Sequence, residues 1–203
     1  MESSRSEPLR YFDIGDNQVY MMREDLLPFS LGGNKVRIGW EFFCDMRRQE
    51  KNCMVVYGNS RSNLCRVLAN LCYSRNIPCY MISSREEGEE RRETNNSRLM
   101  RWFGAHVIPC EKSQIAQTVE ETMEMLKGKG YRPYYIYGNK YGTGNEGVPV
   151  QAYVNAYDEI CSYEAQNGIH FDYIFFPSGT GATQSGLISG HLLKQDQRHI
   201  MGI

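Results

Sequence analysis

A lysine that follows two glycines is the residue of this sequence best suited to covalent chemistry. Lys35 comes after Gly32-Gly33-Asn34, where a helix carrying several aromatic residues is predicted to begin. Glycine removes side-chain bulk, so the backbone beside the lysine can approach a ligand closely. The positive end of the helix dipole favours the neutral amine, which is the form that attacks a carbonyl carbon. The alternative interpretation is an ordinary exposed lysine near a turn.

A second set of polar residues follows the apolar segment CMVVY, which is predicted to be a strand. Residues 57–63 (YGNSRSN) lead from this strand into a predicted helix, and they include Ser62 and Asn63. In open parallel sheets, ligand-binding groups lie beyond the carboxyl ends of the strands. An asparagine there offers donors and an acceptor that suit a phenolate oxygen and a nearby carboxylate. A purely structural role as helix caps is the alternative for both residues.

A third segment is rich in small and hydroxylated residues. Residues 178–186 (SGTGATQSG) follow the apolar segment YIFFP and precede a helix predicted to end near Leu193. Such a turn exposes several backbone N–H groups and hydroxyls in one concave place, which suits a dianionic phosphate. The segment lacks the G-K-[ST] of a Walker loop and the third glycine of a Rossmann fingerprint. A plain tight turn is the alternative.

Strands and helices alternate along most of the chain, and they must position these three segments. Short apolar segments are predicted as strands at QVYMM, CMVVY, PCYMI, AHVIPC, YIFFP and HIMGI. Helices are predicted over residues 62–75, 94–103, 115–127 and 148–166, in addition to the two already described. This alternation is typical of an α/β fold with parallel strands and crossover helices. No helix follows the last strand, which predicts that a part of the fold is absent from this chain.

Composition argues against several classes of function. With 23 Lys and Arg residues against 24 Asp and Glu residues, the net charge is -1, and no basic field would attract nucleic acid or anionic lipid. No apolar run reaches the roughly 20 residues that span a bilayer, and the start of the chain lacks a signal-peptide core. The seven cysteines form no C-x-x-C pair, and the four histidines show no metal-ligand spacing. We therefore expect a cytoplasmic protein with reduced cysteines, no metal site and no nucleic-acid or membrane partner. The charged segment 85–93 (REEGEERRE) is expected to be a solvated loop or helix start.

In their order and spacing, the three segments together resemble one family of enzymes. They resemble the tryptophan-synthase-β-like (fold type II) class of pyridoxal-phosphate enzymes, in particular its D-cysteine desulfhydrase and aminocyclopropane-carboxylate deaminase branch. In that branch a K-R-E-D segment precedes G-G-N-K, a Ser-Asn pair follows a short strand, and a T-G-S-T-Q-A-G type loop comes later. The counterparts here are Arg23-Glu24-Asp25, Gly32-Gly33-Asn34-Lys35, Ser62-Asn63 and residues 180–186 (TGATQSG). The resemblance covers essentially the whole chain.

The resemblance implies pyridoxal 5′-phosphate as the cofactor and a role for each site residue. Lys35 would bond to the cofactor and later move a proton at the substrate α-carbon, and Ser62 would lie beside the substrate carboxylate. Asn63 would hydrogen-bond the phenolic oxygen of the cofactor, and Asn34 would steady the turn before the lysine. The phosphate would be held by the loop residues Ser178, Gly179, Thr180, Gly181, Ala182 and Thr183.

The same resemblance implies a fold and a reaction. The fold would be a three-layer αβα arrangement of parallel sheets in two domains, incomplete at its C-terminal end. Residues 1–51 and 145–203 would form part of a larger cofactor domain, and residues 52–144 a smaller inserted α/β domain. The substrate would be a small amino acid, and a homodimer is expected. From a D-cysteine-like substrate, loss of the α-proton and of sulfide would give pyruvate and ammonia.

Two positions depart from the pattern of that branch and leave alternatives open. Leu64 stands where relatives often have His or Gln, and Arg61 stands where they usually have Gln. These differences predict an altered substrate contact. A β-replacement synthase of the same fold, or a truncated relative without catalytic activity, are the two other functions that the sequence permits.

Overall fold

The computed structural model describes residues 8–85 and 93–203. The strands in this part of the chain are β1 (Pro8–Ile14), β2 (Asn17–Met22), β3 (Cys53–Tyr57), β4 (Cys79–Arg85), β5 (His106–Glu111), β6 (Pro133–Tyr135), β7 (Tyr173–Phe176) and β8 (His199–Gly202). The helices are α1 (Lys35–Arg48), α2 (Asn63–Tyr73), α3 (Asn95–Trp102), α4 (Ile115–Gly128), α5 (Gly147–Asn167) and α6 (Ala182–Lys194). Residues 1–7 and 86–92 lie outside it, so the expectations for the chain start and for most of the charged segment 85–93 stay predictions.

The chain divides into two compact units. The split unit comprises the described residues of Met1–Ile38 together with Gly147–Ile203, and the central unit comprises the described residues of Gly39–Glu146. Helix α1 begins in the split unit and continues into the central unit. The lysine turn (residues 29–33, before Lys35) and the glycine-rich loop (residues 178–186) therefore both belong to the split unit.

The central unit is built around a parallel four-stranded sheet with the strand order β5-β4-β3-β6. The register pairs Met54 with Cys79 in β3 and β4, and Tyr80 with His106 in β4 and β5. Strand β3 is buried along most of its length because it lies between two neighbours, as continuous apolar strands of parallel sheets do. The core around it contains Cys53, Val55, Ile82, Cys110, Val119, Leu126 and Tyr135.

The split unit contains a hairpin that the sequence did not reveal. Strands β1 and β2 pair in antiparallel fashion, with Ile14 opposite Asn17 across a turn at Gly15. Of this pair, the sequence predicted only β2, as the segment QVYMM. Most of β1 is exposed, so it carries no clear apolar alternation. The other strand that was not predicted, β6, has only three residues, too few to show a period.

Helices α5 and α6 of the split unit pack closely because two glycines of α6 lie against tyrosines of α5. A Cβ added at Gly186 would lie 2.3 Å from the Cβ of Tyr153, and one added at Gly190 would lie 2.5 Å from the Cβ of Tyr157. Real side chains do not approach so closely, so glycine at both positions sets the distance between the helices. Because residues four apart share a helix face, both glycines lie on the side of α6 that packs against α5.

One face of the two-stranded parallel sheet β7–β8 carries exposed aromatic side chains. The ring of Tyr173 stacks on Phe175 with centroids 5.9 Å apart and on His199 at 4.9 Å. Tyr173, Phe175 and Met201 are 54%, 63% and 44% exposed. Parallel strands usually have both faces covered, so this aromatic face is a surface on which further polypeptide can pack.

We expect the substitution Gly186→Ala to lower the free energy of unfolding by about 1–3 kcal/mol, because the added methyl group overpacks the contact with Tyr153. Gly147→Ala is the control, since a Cβ at this first residue of α5 has no atom within 4 Å. It should change the free energy of unfolding by about 0.5 kcal/mol or less. Urea unfolding of both variants provides the measurement, and equal losses would contradict the close helix contact.

Candidate active site

Lys35 is the first residue of α1, and a left-handed turn precedes it. Residues 29–33 all have positive φ, which reaches 93° at Gly33. Gly32 lies against the backbone of Asp25, where an added Cβ would be 2.2 Å from the carbonyl oxygen. The N–H of Gly33 donates to the carbonyl of Glu24 at 2.6 Å. The two glycines thus allow the lysine turn to pack directly on the backbone of the Arg23-Glu24-Asp25 segment.

The amine of Lys35 is in a setting that favours its neutral form. The residue is half-buried, as is Asn34 immediately before it. Burial lowers the pKa of Lys35, because taking the amine out of water penalises its charged form. A larger fraction of the amine is therefore neutral and nucleophilic near neutral pH than for a lysine in water.

A buried arginine two residues further along α1 anchors this turn. The side chain of Arg37 is 2% exposed, and its Nε and Nη2 donate to the carboxylates of Glu24 at 2.7 Å and Glu159 at 2.8 Å. Glu24 lies on the short 3-10 helix Glu24–Leu26, and Glu159 lies on α5. A buried guanidinium is tolerated only when it is paired, so these contacts fix the start of α1 against both elements.

The glycine-rich segment connects β7 to α6, as the sequence predicted. Gly181 is the N-cap of α6 with φ of 88°, and it has no side chain with which to cap the helix. The N–H of Ser185 donates to the carbonyl of Gly181 at 2.8 Å, whereas the N–H groups of Ala182 and Thr183 come before this first helical bond. A Cβ added at Gly179 or Gly181 has no atom within 4 Å, so the loop faces open space.

Two residues of this loop, Ser178 and Thr183, lie against neighbouring elements. The Ser178 hydroxyl donates to Oε1 of Gln184 at 2.7 Å, and the Ser178 N–H donates to the carbonyl of Ile203 at 2.8 Å. The Thr183 side chain lies near the phenol of Tyr153 on α5 and counters the rise in the pKa of that phenol. Thr180 is exposed at the top of the loop. Hydrogen bonds therefore tie the loop to α6 and to the residue that follows β8, while Gly179 and Gly181 face open space.

The residues of the split unit fit pyridoxal phosphate. The site offers a half-buried amine for the aldehyde and an uncapped helix N-terminus for the phosphate. The loop residues 178–183 include no acidic side chain that would repel a dianion. Lys35, Asn34 and the whole loop lie in this one unit.

Ser62 and Asn63 lie in the central unit, after the carboxyl end of β3. Ser62 is the N-cap of α2, and its Oγ accepts from the N–H of Cys65 at 3.2 Å. Oδ1 of Asn63 accepts from the side-chain amide of Asn96 at 2.9 Å. Gly58 allows the tight turn before them, since an added Cβ would lie 2.8 Å from Sγ of Cys65. The capping role considered for Ser62 is thus present.

Sequence reasoning missed the side chains that hold these segments. Asn96 also donates to the carbonyl of Arg61 at 2.8 Å, and Thr94 donates to the carbonyl of Ser60. The only signal for them is the capping pattern at the start of α3, which gives no hint of a contact with a loop 34 residues earlier. Tyr153 and Glu159 carry no motif at all.

Two further observations bear on the class of site. Within residues 8–85 and 93–203, no helix combines the length and apolarity needed to cross a membrane. In the same ranges, no group of three His, Cys, Asp or Glu side chains is placed to hold a metal ion.

Comparison with known proteins gives relatives whose names agree with the chemistry of the site. The chain is 26% identical over 198 residues to a D-cysteine desulfhydrase of Serratia proteamaculans, covering 96% of this chain and 59% of the relative. It is 29% identical over 196 residues to a 1-aminocyclopropane-1-carboxylate deaminase of Burkholderia multivorans, covering 93% and 57%. The chain thus spans less than two thirds of the length of these curated relatives.

Solved structures show the same fold. A crystal structure of a homologue of that deaminase matches with a TM-score of 0.74 at 22% identity, over 91% of this chain and 55% of the other. A hydrogen-sulfide-producing enzyme of Fusobacterium nucleatum matches with a TM-score of 0.65 at 18% identity, over 95% and 60%. The mixed α/β architecture with parallel sheets is therefore that of the tryptophan-synthase-β-like fold, as the sequence predicted.

A family model described as "Pyridoxal-phosphate dependent enzyme" matches residues 7–203, which is nearly the whole chain. The matched residues include the half-buried amine of Lys35 and the glycine-rich loop, which lie in one unit. The chain belongs to the family of pyridoxal-phosphate-dependent enzymes.

Proposed function

We propose that this chain binds pyridoxal 5′-phosphate and acts as a lyase or deaminase on a small amino acid. The observation that carries the proposal is the presence, in one unit, of Lys35 and of the loop 178–183 at the uncapped start of α6. The names of the relatives favour α,β-elimination of a D-cysteine-like substrate. Water and D-cysteine would give pyruvate, ammonia and hydrogen sulfide.

Each site residue has a role in this proposal. Lys35 would bond to the aldehyde carbon of the cofactor and, once free, move the proton at the substrate α-carbon. The cofactor, when bound, supplies an electron sink for the charge that develops at that carbon. Backbone N–H groups from Gly179 to Thr183, with the hydroxyl of Thr180, would hold the phosphate.

Ser62 and Asn63 keep the roles that the resemblance implies. Ser62 would lie beside the substrate carboxylate, and Asn63 would hydrogen-bond the phenolic oxygen of the cofactor. The fixed orientation of Asn63 supports this role, because its Oδ1 is occupied by Asn96 and its amide N–H groups are the donors that remain. Asn34 would steady the turn before Lys35.

The domain organisation is also proposed. Residues 1–51 and 145–203 would form part of the cofactor domain and residues 52–144 the inserted domain, an organisation that the split unit and the central unit support. We propose a homodimer as well, and the exposed aromatic face of β7–β8 supports association. A cytoplasmic location stays a prediction, which seven unpaired cysteines favour.

We expect borohydride reduction of the chain with pyridoxal phosphate to leave a pyridoxyl group on Lys35. Lys35→Ala should remove this label and lower any elimination rate about 10²–10⁴-fold, the usual worth of a positioned acid or base. Lys127→Ala, at an exposed position in the last turn of α4, serves as the matched control. Peptide mapping by mass spectrometry locates the label, and equal labelling of both variants would refute the assignment.

The pH dependence of attachment should reflect the burial of Lys35. An amine reacts when neutral, and its neutral fraction rises as the pH passes its pKa from below. Because the pKa of Lys35 is lowered, attachment should persist to lower pH than attachment to free Nα-acetyl-lysine. Rates of trapping at a series of pH values give the comparison, and coincident profiles would contradict the burial of the amine.

The products distinguish the candidate functions. With D-cysteine and pyridoxal phosphate, we expect keto acid and sulfide to form in equal amounts. With O-acetylserine and an added thiol as nucleophile, a β-replacement synthase would instead yield a new amino acid. Chromatography of both reactions separates these outcomes, and the absence of both products would favour a relative without catalytic activity.

A further inference from the structure

Glu24 occupies a place in the split unit that the proposed function does not yet use. Its backbone carbonyl accepts from the N–H of Gly33 in the turn before Lys35, at 2.6 Å. Its carboxylate accepts from Nε of Arg37 at 2.7 Å and from the hydroxyl of Tyr153 at 3.3 Å. One residue of the Arg23-Glu24-Asp25 segment therefore contacts the lysine turn, the first turn of α1 and helix α5.

Tyr153 extends these contacts to the loop. Burial, and after it the negative charge of Glu24, raise the pKa of Tyr153, so the phenol keeps its proton. That single proton goes to the carboxylate of Glu24, so the phenol oxygen can only accept from the nearby Thr183 side chain, which counters the rise in the pKa of Tyr153. Tyr153 also packs directly on Gly186 of α6, and the N–H of Thr183 lies at the open end of that helix.

From these contacts we infer that Glu24 and Tyr153 are positioning residues, which hold the phosphate-binding loop in register with Lys35. The ligand class they select is the phosphorylated cofactor, because they act on the loop that meets the phosphate. The inference rests on the proposed function. It gives the Arg23-Glu24-Asp25 segment a role separate from the covalent chemistry of Lys35.

The affinity for pyridoxal phosphate relative to pyridoxal, which lacks the phosphate, isolates this role. Tyr153→Phe keeps the ring that packs on Gly186 and removes only the hydroxyl. We expect this variant to lose about five- to tenfold in the preference for the phosphorylated form, the worth of one hydrogen bond. Its affinity for pyridoxal should stay within about twofold of that of the unsubstituted chain, since Lys35 is intact.

Tyr157→Phe is the matched control, one helical turn further along α5. Its hydroxyl donates to Asp196 at 2.7 Å and has no part in the contact with Glu24. This variant should lose stability and keep the preference for the phosphorylated form. Glu24→Gln tests the other end of this contact. Because it also removes a charge paired with Arg37, it should weaken the binding of both cofactor forms and in addition reduce the preference for the phosphorylated form. Because one hydrogen bond joins the two residues, the double variant should lose less than the product of the two single effects.

Spectral titration with both cofactor forms, and ³¹P NMR titration with inorganic phosphate, provide the dissociation constants for folded protein. A preference for the phosphorylated form that falls in Tyr153→Phe and Glu24→Gln but not in Tyr157→Phe, with the affinity for pyridoxal kept in Tyr153→Phe, supports the inference. An unchanged or larger preference in these variants overturns it while leaving the proposed function intact. If the unsubstituted chain itself shows no preference for the phosphorylated form, the proposed function fails and the inference with it.

Discussion

The burial of one positive charge organises the split unit. Arg37 is almost fully removed from water, and its ion pairs with the carboxylates of Glu24 and Glu159 help to make that burial tolerable. Glu159 is 122 residues from Arg37, so this ion pair forms only when distant parts of the chain fold together. Lys35 lies two residues before Arg37 on α1, so the contacts that hold Arg37 also fix the position of Lys35.

Two glycines of the split unit allow its elements to pack closely. Gly32 lets the lysine turn lie on the backbone of Asp25, and Gly186 lets α6 lie on Tyr153. Both contacts bring backbone close to backbone or to the first carbon of a side chain, where any larger residue would push the elements apart.

Much of this arrangement could be predicted from the sequence, for reasons that differ between elements. The strand CMVVY and helix α4 follow from apolar periodicity, and the loop 178–186 follows from its composition and its place after a strand. The hairpin β1–β2 could not be predicted, because its exposed first strand shows no alternation and its pairing depends on a turn at Gly15. The roles of Tyr153 and Asn96 could not be predicted either, since each depends on a contact across many residues.

The position of the cofactor tests the account most directly. A crystal structure of the chain with pyridoxal phosphate should show continuous density between Nζ of Lys35 and the aldehyde carbon of the cofactor. It should also show phosphate oxygens within hydrogen-bonding distance of the N–H groups of Ala182 and Thr183. Density joined to another lysine, or a phosphate bound away from residues 178–183, would contradict the account.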